Sequence, residues 1–201
     1  MLRLDHLALS AERLEDGVAA VEALLGVSMA GGGQHSAMGT HNRLISLGDL
    51  YLEVIAIDPL APAPGRPRWF DLDRFSGPPR LTNWIVACDD LDTALTTGPQ
   101  GWGQPMSLTR GEYRWQMAVP ADGRLPYDAV CPALIRWQGA QHPAPALPDH
   151  GLRLSRLTVR HPLALALKSA LGLDDPRVTF VTGAPDLSAV IETANGPVTL
   201  P

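Results

Sequence analysis

Apolar and polar residues recur along the chain in short patterns that predict strands and short helices. Residues 2–9 read as a strand. Over residues 14–25 apolar side chains recur every three or four positions, which is the spacing of one helix face. Gly26 follows directly and predicts the end of that helix.

The next two apolar runs predict a β-hairpin. Residues 40–47 and 50–57 are rich in strand-forming side chains and flank Gly48-Asp49, a turn sequence. Glu53 lies inside the second run, between apolar residues on both sides. Burying a carboxylate is costly unless it is paired, protonated or bound to a metal. Glu53 is therefore predicted to be functional or, alternatively, to form a structural ion pair with an arginine.

The length of the hairpin loop decides which polar side chains share a face with Glu53. A two-residue loop places Leu44 opposite Glu53 and Asn42 diagonally beside it. A three-residue loop places His41 on that face instead, because a slip of one residue exchanges the two faces of a strand. The sequence leaves both registers open, so His41 and Asn42 are both candidates for a pocket.

A strand followed by a short helix that ends in glycine occurs three times. The three openings read RLDHLAL, RLTNWIV and RLSRLTV, and the helices end in LLG, TTG and ALG. His6 and Asn83 hold matching places 77 positions apart. The period predicts an internal repeat with units at residues 1–60 and 81–140 and a shortened third unit at 152–201, together forming one domain.

Residues 61–80 connect the first two units and are dense in proline. Trp69, Phe70 and Phe75 interrupt this linker with large apolar groups, so it is expected to pack against the protein. It would serve either as a flap over a pocket or as a linker pinned to the outside of a sheet.

A single strand–helix–hairpin unit leaves one apolar sheet face uncovered. Two units are therefore expected to curl around a shared interior with their helices outside. The predicted fold class is α+β, with paired βαβββ modules forming a cupped mixed sheet and a shortened third module at the C-terminus. The hollow between the units is the natural ligand site. His6 and Glu53 of the first unit are expected to point into it, with Asn83 and, by matching YLEVI to LIRW, Arg136 of the second.

Composition and charge exclude several classes of partner. The formal net charge of −5 gives no basic surface for nucleic acid or anionic lipid. No apolar run approaches the roughly 18 residues of a membrane span, and the N-terminus lacks the apolar region of a signal peptide. We therefore expect a cytoplasmic protein that binds neither nucleic acid nor membrane. Cys88 and Cys131 form no CxxC pair and are expected to be buried free thiols.

Several of these segments resemble one known group of proteins. LDHLAL, GTHNRLISLGDLYLEVIAIDP, RLTNWIV, RWQMAVP and PALIRW together span nearly the whole chain. They resemble the vicinal oxygen chelate superfamily (glyoxalases, bleomycin-resistance proteins and dioxygenases) and, more narrowly, its glyoxalase-like domain proteins. The resemblance implies paired βαβββ modules and a divalent metal held by His, Gln or Glu on the first and last strands of the modules.

The resemblance assigns ligand positions to only part of this chain. His6 and Glu53 match metal-ligand positions, and their types suit Zn, Mn, Ni or Fe. Asn83 takes the matching place in the second module as a weak ligand. Arg136 has no free lone pair for a metal and would instead bind Glu53 or an anionic substrate. His41 is a candidate third ligand. His35, His142, His150 and His161 receive no role.

Three hypotheses about function follow. The first is a lyase or isomerase, with or without a metal, in which Glu53 and His6 act on a small polar organic molecule. The second is a metal-free binding or resistance protein that sequesters an aromatic or drug-like ligand, favoured by Arg136 in a ligand position and by the tryptophans of the second unit. Under either hypothesis Arg114, Arg136 and Trp137 are candidates to contact the bound molecule. The third is a scaffold with an empty cup. Whether two chains form a homodimer is left open.

Overall fold

The computed structural model describes residues 1–200, which fold into twelve strands and three α-helices. The strands are β1 (Arg3–Ser10), β2 (Gln34–His35), β3 (Thr40–Ser46), β4 (Tyr51–Ile57), β5 (Arg80–Ala87), β6 (Gln104–Arg110), β7 (Tyr113–Val119), β8 (Ala133–Trp137), β9 (Arg153–Arg160), β10 (Val178–Val181), β11 (Asp186–Thr193) and β12 (Gly196–Leu200). The helices are α1 (Leu14–Leu25), α2 (Leu91–Thr97) and α3 (Ala164–Leu171). Two short 3-10 helices cover Trp69–Arg74 and Ala144–Ala146.

Eight strands of the first two units form one curved, nearly closed mixed sheet with the helices outside. Their order is β2-β3-β4-β1-β5-β8-β7-β6. Within each unit the first and last strands are parallel, and the antiparallel pair β1–β5 joins the two units. The predicted fold class, paired βαβββ modules in a cupped mixed sheet with a smaller module at the C-terminus, is confirmed.

The C-terminal unit repeats the element order of the other two but not their strand pairing. Its four strands form a separate sheet in the order β10-β9-β11-β12. There the first strand is parallel to the strand that follows the helix, whereas β1 is parallel to the last strand of its unit. This small sheet packs against β5, where Phe180 contacts Trp84 edge to face with 6.2 Å between ring centroids. Both sheets therefore share one continuous core.

Local sequence signals account for most element ends. Gly26 ends α1 with a φ of 72°, a left-handed conformation that glycine adopts without strain. Asp90 caps α2 by accepting a hydrogen bond from the Thr93 amide at 3.1 Å. Strand β6 has no counterpart in the predictions, because QPMSLTR has a proline and little alternation and buries only Leu108.

The hairpin has the register of a two-residue loop. The Leu47 amide donates to the Leu50 carbonyl at 2.9 Å, and Leu44 lies opposite Glu53. Asn42 therefore shares a face with Glu53. His41 lies opposite Ala56, on the other face of β3.

The proline-rich linker lies over the cavity as a flap. Its Trp69 and Phe70 are buried in the cavity wall. The Asp71 amide donates to the Gly123 carbonyl at 3.0 Å, which fastens the linker to the second unit. Gly123 has a φ of 77°, and a Cβ there would lie 1.9 Å from the Arg68 carbonyl oxygen. Only glycine allows this close approach.

Two simpler expectations concern membranes and cysteines. Within residues 1–200 none of the helices combines the length and the apolar character needed to cross a bilayer. Cys88 and Cys131 are both free and buried, as predicted.

Candidate functional site

The hollow of the eight-stranded sheet contains a small, partly open cavity. About 20 Å³ of it is open to the centre of a water molecule, enough for one ordered water. The wall holds four groups that can bear charge: His6, His35, Glu53 and Arg110. Aromatic rings form most of the remaining wall: Tyr51, Trp69, Phe70, Trp115 and Trp137. The cavity therefore combines charged and aromatic side chains.

His6 and Glu53 face each other across one wall of the cavity. They lie on the neighbouring parallel strands β1 and β4, where His6 is paired with Tyr51 and Ala8 with Glu53. The His6 Nε2 and the Glu53 Oε2 are 3.6 Å apart, and both side chains are almost fully buried. The Tyr51 ring stacks on the imidazole with 4.3 Å between centroids. This stacking limits the rotation of the His6 ring.

A buried aspartate fixes the other side of His6. Asp5 Oδ1 accepts from His6 Nδ1 at 2.5 Å. Neighbouring strand residues normally point to opposite faces, but the β1–β5 register shifts between Leu4 and His6, so that Asp5 is the extra residue of a bulge. Asp5 Oδ2 also accepts from Trp137 Nε1 at 2.9 Å and from His142 Nε2 at 3.1 Å. With Nδ1 of His6 engaged, Nε2 is the atom that faces Glu53.

Glu53 has two further neighbours on its own side of the sheet. Asn42 Nδ2 donates to Glu53 Oε1 at 2.5 Å. His35 Nε2 lies 4.0 Å from the same oxygen. That nitrogen accepts from Arg110 at 3.3 Å, while Nδ1 of His35 bonds to Thr40 at 3.0 Å. His35 is thus held as a neutral imidazole between Arg110 and Thr40.

The pKa values of the two histidines in the cavity wall are shifted in opposite directions. Burial alone would lower the pKa of His6, but its hydrogen bond to Asp5 and its ion pair with Glu53 outweigh burial, so the pKa of His6 is raised. Burial likewise opposes ionisation of Glu53, yet His6, His35 and Arg110 hold its pKa at about 2. Burial, with Arg110 nearby, lowers the pKa of His35 to about 4. The resting cavity therefore contains an imidazolium–carboxylate pair and a neutral imidazole.

The structure brings together only part of the predicted set. His6, Glu53 and Trp137 line the cavity, and Asn42 supports Glu53 from behind. The other predicted residues do not line it: His41, Asn83, Arg114 and Arg136. Arg114 and Arg136 are exposed, and Asn83 lines a separate groove beside the C-terminal sheet.

Strand register corrects the match between Arg136 and Glu53. Ala8 and Ile85 hold equivalent places in the repeat, 77 positions apart. Ala8 pairs with Glu53, and Ile85 pairs with Ala133. The counterpart of Glu53 in the second unit is therefore Ala133. The alignment of YLEVI with LIRW was wrong because Arg136 lies three residues further along β8 than Ala133 and has its side chain at the surface.

The divalent metal implied by the resemblance does not fit this set of residues. The four equivalent positions are occupied by His6, Glu53, Asn83 and Ala133. His6 and Glu53 are strong metal ligands, Asn83 is a weak one, and Ala133 has no group that can bind a metal. The third imidazole near Glu53, that of His35, already accepts from the Arg110 guanidinium. Among residues 1–200 no three His, Cys, Asp or Glu side chains are placed to share an ion. The chemical step proposed below therefore involves no metal.

Four residues of the site with charged or imidazole side chains had no predicted role: Asp5, His35, Arg110 and His142. The sequence does draw attention to Asp5, because this acidic residue directly precedes His6 in the strand LDHL. His35 and Arg110 had none, because one lies on a two-residue strand and the other at the end of the unpredicted β6. His142 lies in a loop and reaches Asp5 across 137 residues of sequence.

Comparison with known proteins identifies the family. The family model described as "Glyoxalase-like domain" matches residues 4–172. The chain belongs to the glyoxalase-like domain family. This places it in the vicinal oxygen chelate superfamily, as its sequence segments suggested. No curated protein matches the sequence.

Solved structures similar to this chain have low sequence identity to it. A hypothetical protein from Staphylococcus aureus has a TM-score of 0.60 and 13% identity, with 99% of this chain and 84% of that chain covered. Methylmalonyl-CoA epimerase from Mycobacterium tuberculosis has a TM-score of 0.44 and 15% identity, over 69% and 88% of the two chains. A Streptomyces coelicolor methylmalonyl-CoA epimerase variant, in complex with 2-nitronate-propionyl-CoA, has a TM-score of 0.46 and 12% identity, over 70% and 96%. At these identities the likeness concerns the fold alone.

Proposed function

We propose that this glyoxalase-like domain protein binds a small polar organic molecule in the cavity and moves a proton on it, as a lyase or isomerase does. The observation that supports this most is the His6–Glu53 pair, buried at 3.6 Å and fixed from behind by Asp5. Proton transfer requires at least an acid and a base that are held in a fixed orientation, and a small cavity limits the access of water to them.

In the proposed step Glu53 accepts a proton from a carbon next to a carbonyl group. The electron pair of the broken C–H bond moves towards the carbonyl oxygen, where the His6 imidazolium donates from Nε2 and stabilises the developing negative charge. Return of the proton from Glu53 to another carbon, or to the other face of the same carbon, completes an isomerisation.

The low pKa of Glu53 sets a condition on this step. A carboxylate with a pKa of about 2 is a weak base, and the contact with His6 is the largest contribution that lowers it. A ligand oxygen that accepts a hydrogen bond from His6 Nε2 weakens this contact and raises the pKa of the carboxylate. The base is then activated by ligand binding itself.

Deuterium exchange tests this function directly. In heavy water, a panel of small carbonyl compounds and carboxylic acids is incubated with the protein, and loss of C–H signals is followed by proton NMR. We expect exchange in at least one compound and a loss of about 10²–10⁴-fold for Glu53→Gln, the range typical of a general base. Equal exchange by wild type and Glu53→Gln would refute the proposal, as would the absence of exchange in every compound that binds.

A metal-free sequestering protein is the second candidate function. The aromatic wall favours it, because Tyr51, Trp69 and Trp115 offer flat apolar surfaces to a ligand. This candidate predicts that Glu53→Gln binds the ligand as wild type does and that neither protein exchanges its protons.

A further inference from the structure

Two hydrogen-bond donors in the cavity wall have no acceptor in the protein. The chain has five tryptophans. Three of them donate their indole N–H to protein oxygens: Trp84 to Val130 at 2.8 Å, Trp102 to Pro132 at 2.6 Å and Trp137 to Asp5 at 2.9 Å. The Nε1 atoms of Trp69 and Trp115 are buried and have no partner within residues 1–200, and both residues line the cavity.

A buried donor without an acceptor is unfavourable, so native proteins seldom leave one unless a ligand or water supplies the missing atom. Trp69 belongs to the flap and Trp115 to β7, which are distant in sequence. Their meeting at one cavity is therefore a feature of the folded chain rather than of one irregular loop.

A cation, Arg110, lines the same cavity. The Arg110 guanidinium is 3.3 Å from the His35 ring, and that ring contacts both indoles edge to face, at 5.1 Å from Trp69 and 6.0 Å from Trp115. Trp69, Trp115 and Arg110 thus all contact the His35 ring and line the same cavity, and together they are called the donor cluster. On the acceptor side, Glu53 is the one carboxylate of the cavity wall, and its oxygens already face Asn42 and His6.

From this arrangement we propose that the donor cluster binds the carboxylate group of a small organic acid. The inference rests on the proposed function, in that it names the chemical class of the molecule held beside His6 and Glu53. A carboxylate offers four lone-pair directions, which suit a guanidinium and two indole N–H groups together. An aromatic wall with one carboxylate would suit an organic cation, but the positive charge of Arg110 opposes that ligand.

The indole N–H signals in ¹H–¹⁵N NMR spectra of the whole protein test this class. Three probes are titrated: propionate, its neutral analogue propionamide, and tetramethylammonium. We expect propionate to move the Trp69 and Trp115 indole signals downfield, as new hydrogen bonds do. The signals of Trp84 and Trp102, already bonded to carbonyls outside the cavity, should stay in place and serve as internal controls.

Substitutions then locate the binding groups. Trp115→Phe keeps an aromatic ring but removes the indole N–H, and it should weaken propionate binding about tenfold. Arg110→Gln removes the guanidinium and should weaken binding by about tenfold to a hundredfold. Arg156→Gln, at an exposed arginine on β9, is the matched control and should leave the affinity unchanged. The wild-type titration stands by itself if either cavity variant fails to fold.

The inference is overturned if propionate leaves both cavity indoles unmoved, or if propionamide or tetramethylammonium moves them at lower concentration than propionate. Glu53→Gln separates this inference from the proposed function. With the donor cluster intact, this variant should still bind propionate, although it should have lost proton exchange. Binding of propionate by wild type, together with no exchange in any compound of the panel that binds, would refute the proton-transfer function and leave the carboxylate site standing.

Discussion

At the scale of single residues, Glu53 shows how an unfavourable position can reveal a site. Its carboxylate is buried in an apolar hairpin, and the structure compensates the burial with Asn42 and His6. The cost of burying a charge was visible in the sequence, because the strand around Glu53 is apolar on both sides. The compensating partners were only partly visible, because the loop length left the register open.

Asn42→Asp tests the support of Glu53. Asn42 Oδ1 accepts a hydrogen bond from the Gly33 amide at 2.8 Å, and the aspartate keeps an oxygen for this bond. The substitution removes the N–H group that donates to Glu53 and places a second carboxylate there. Two carboxylates in contact cannot both ionise, so we expect a loss of about 3 kcal/mol in unfolding free energy at pH 7. The loss should shrink as the pH falls and one group is protonated.

Urea unfolding at several pH values measures this effect. Asn195→Asp, at an exposed turn, is the control and should change the unfolding free energy little at any pH. A loss for Asn42→Asp that is the same at pH 7 and pH 4 would show that charge repulsion is not its cause.

His35→Gln tests the neutral imidazole. The pKa of His35 is about 4 in the folded protein, against 6.5 for an ordinary histidine. Between these values the unfolded chain binds a proton that the folded protein does not, so stability is complete above pH 6.5 and falls as the pH drops towards 4. The shift corresponds to a loss of up to about 3 kcal/mol.

We expect His35→Gln to have a flatter dependence of unfolding free energy on pH between 6.5 and 5, a range above the titration of Glu53. Denaturant unfolding at half-unit pH steps measures it, with His150→Gln, at an exposed loop residue, as the control. Equal slopes for wild type and His35→Gln would disprove the assignment of a buried neutral imidazole.

At the scale of elements, the flap forms part of the cavity wall. Its Trp69 and Phe70 fill the wall, and its backbone is fastened where the Asp71 amide meets Gly123. The sequence showed that this proline-rich segment must pack. It left open whether the segment covers a pocket or the outside of a sheet, because proline and aromatic content fix no docking place.

Gly123→Ala should loosen the flap. A Cβ would meet the Arg68 carbonyl oxygen at 1.9 Å, and alanine is strained at a φ of 77°. We expect a loss of about 2–4 kcal/mol in stability and easier quenching of Trp69 fluorescence by acrylamide. Gly111→Ala is the matched control, because its φ of 57° imposes similar backbone strain while no atom lies within 4 Å of the added Cβ. Equal quenching in the two variants would rule out Gly123 as the fastening point.

At the scale of the whole molecule, the C-terminal sheet completes the core rather than standing apart. Phe180 and the buried strands of this sheet cover the face of β5 that carries Trp84, which is fully buried. We expect the protein to unfold in one transition, and a chain of residues 1–150 to melt at least roughly 10 °C lower, since each lost kcal/mol lowers the melting temperature by about 2–4 °C in a chain of this size. Circular dichroism and tryptophan fluorescence measure both; two separate transitions in the full chain would contradict a shared core.

The sequence by itself determined most of the elements, their repeated order and two residues of the cavity wall. Apolar spacing, glycine stops and the cost of a buried carboxylate are local properties, and they were sufficient for α1, the hairpin, His6 and Glu53. Only the tertiary structure decided the partners of these residues. The bulge at Asp5, the pairing of Ala133 with Ile85 and the meeting of Trp69, Trp115 and Arg110 depend on strand register and on contacts between distant segments, where a shift of one residue changes which side chain faces the cavity.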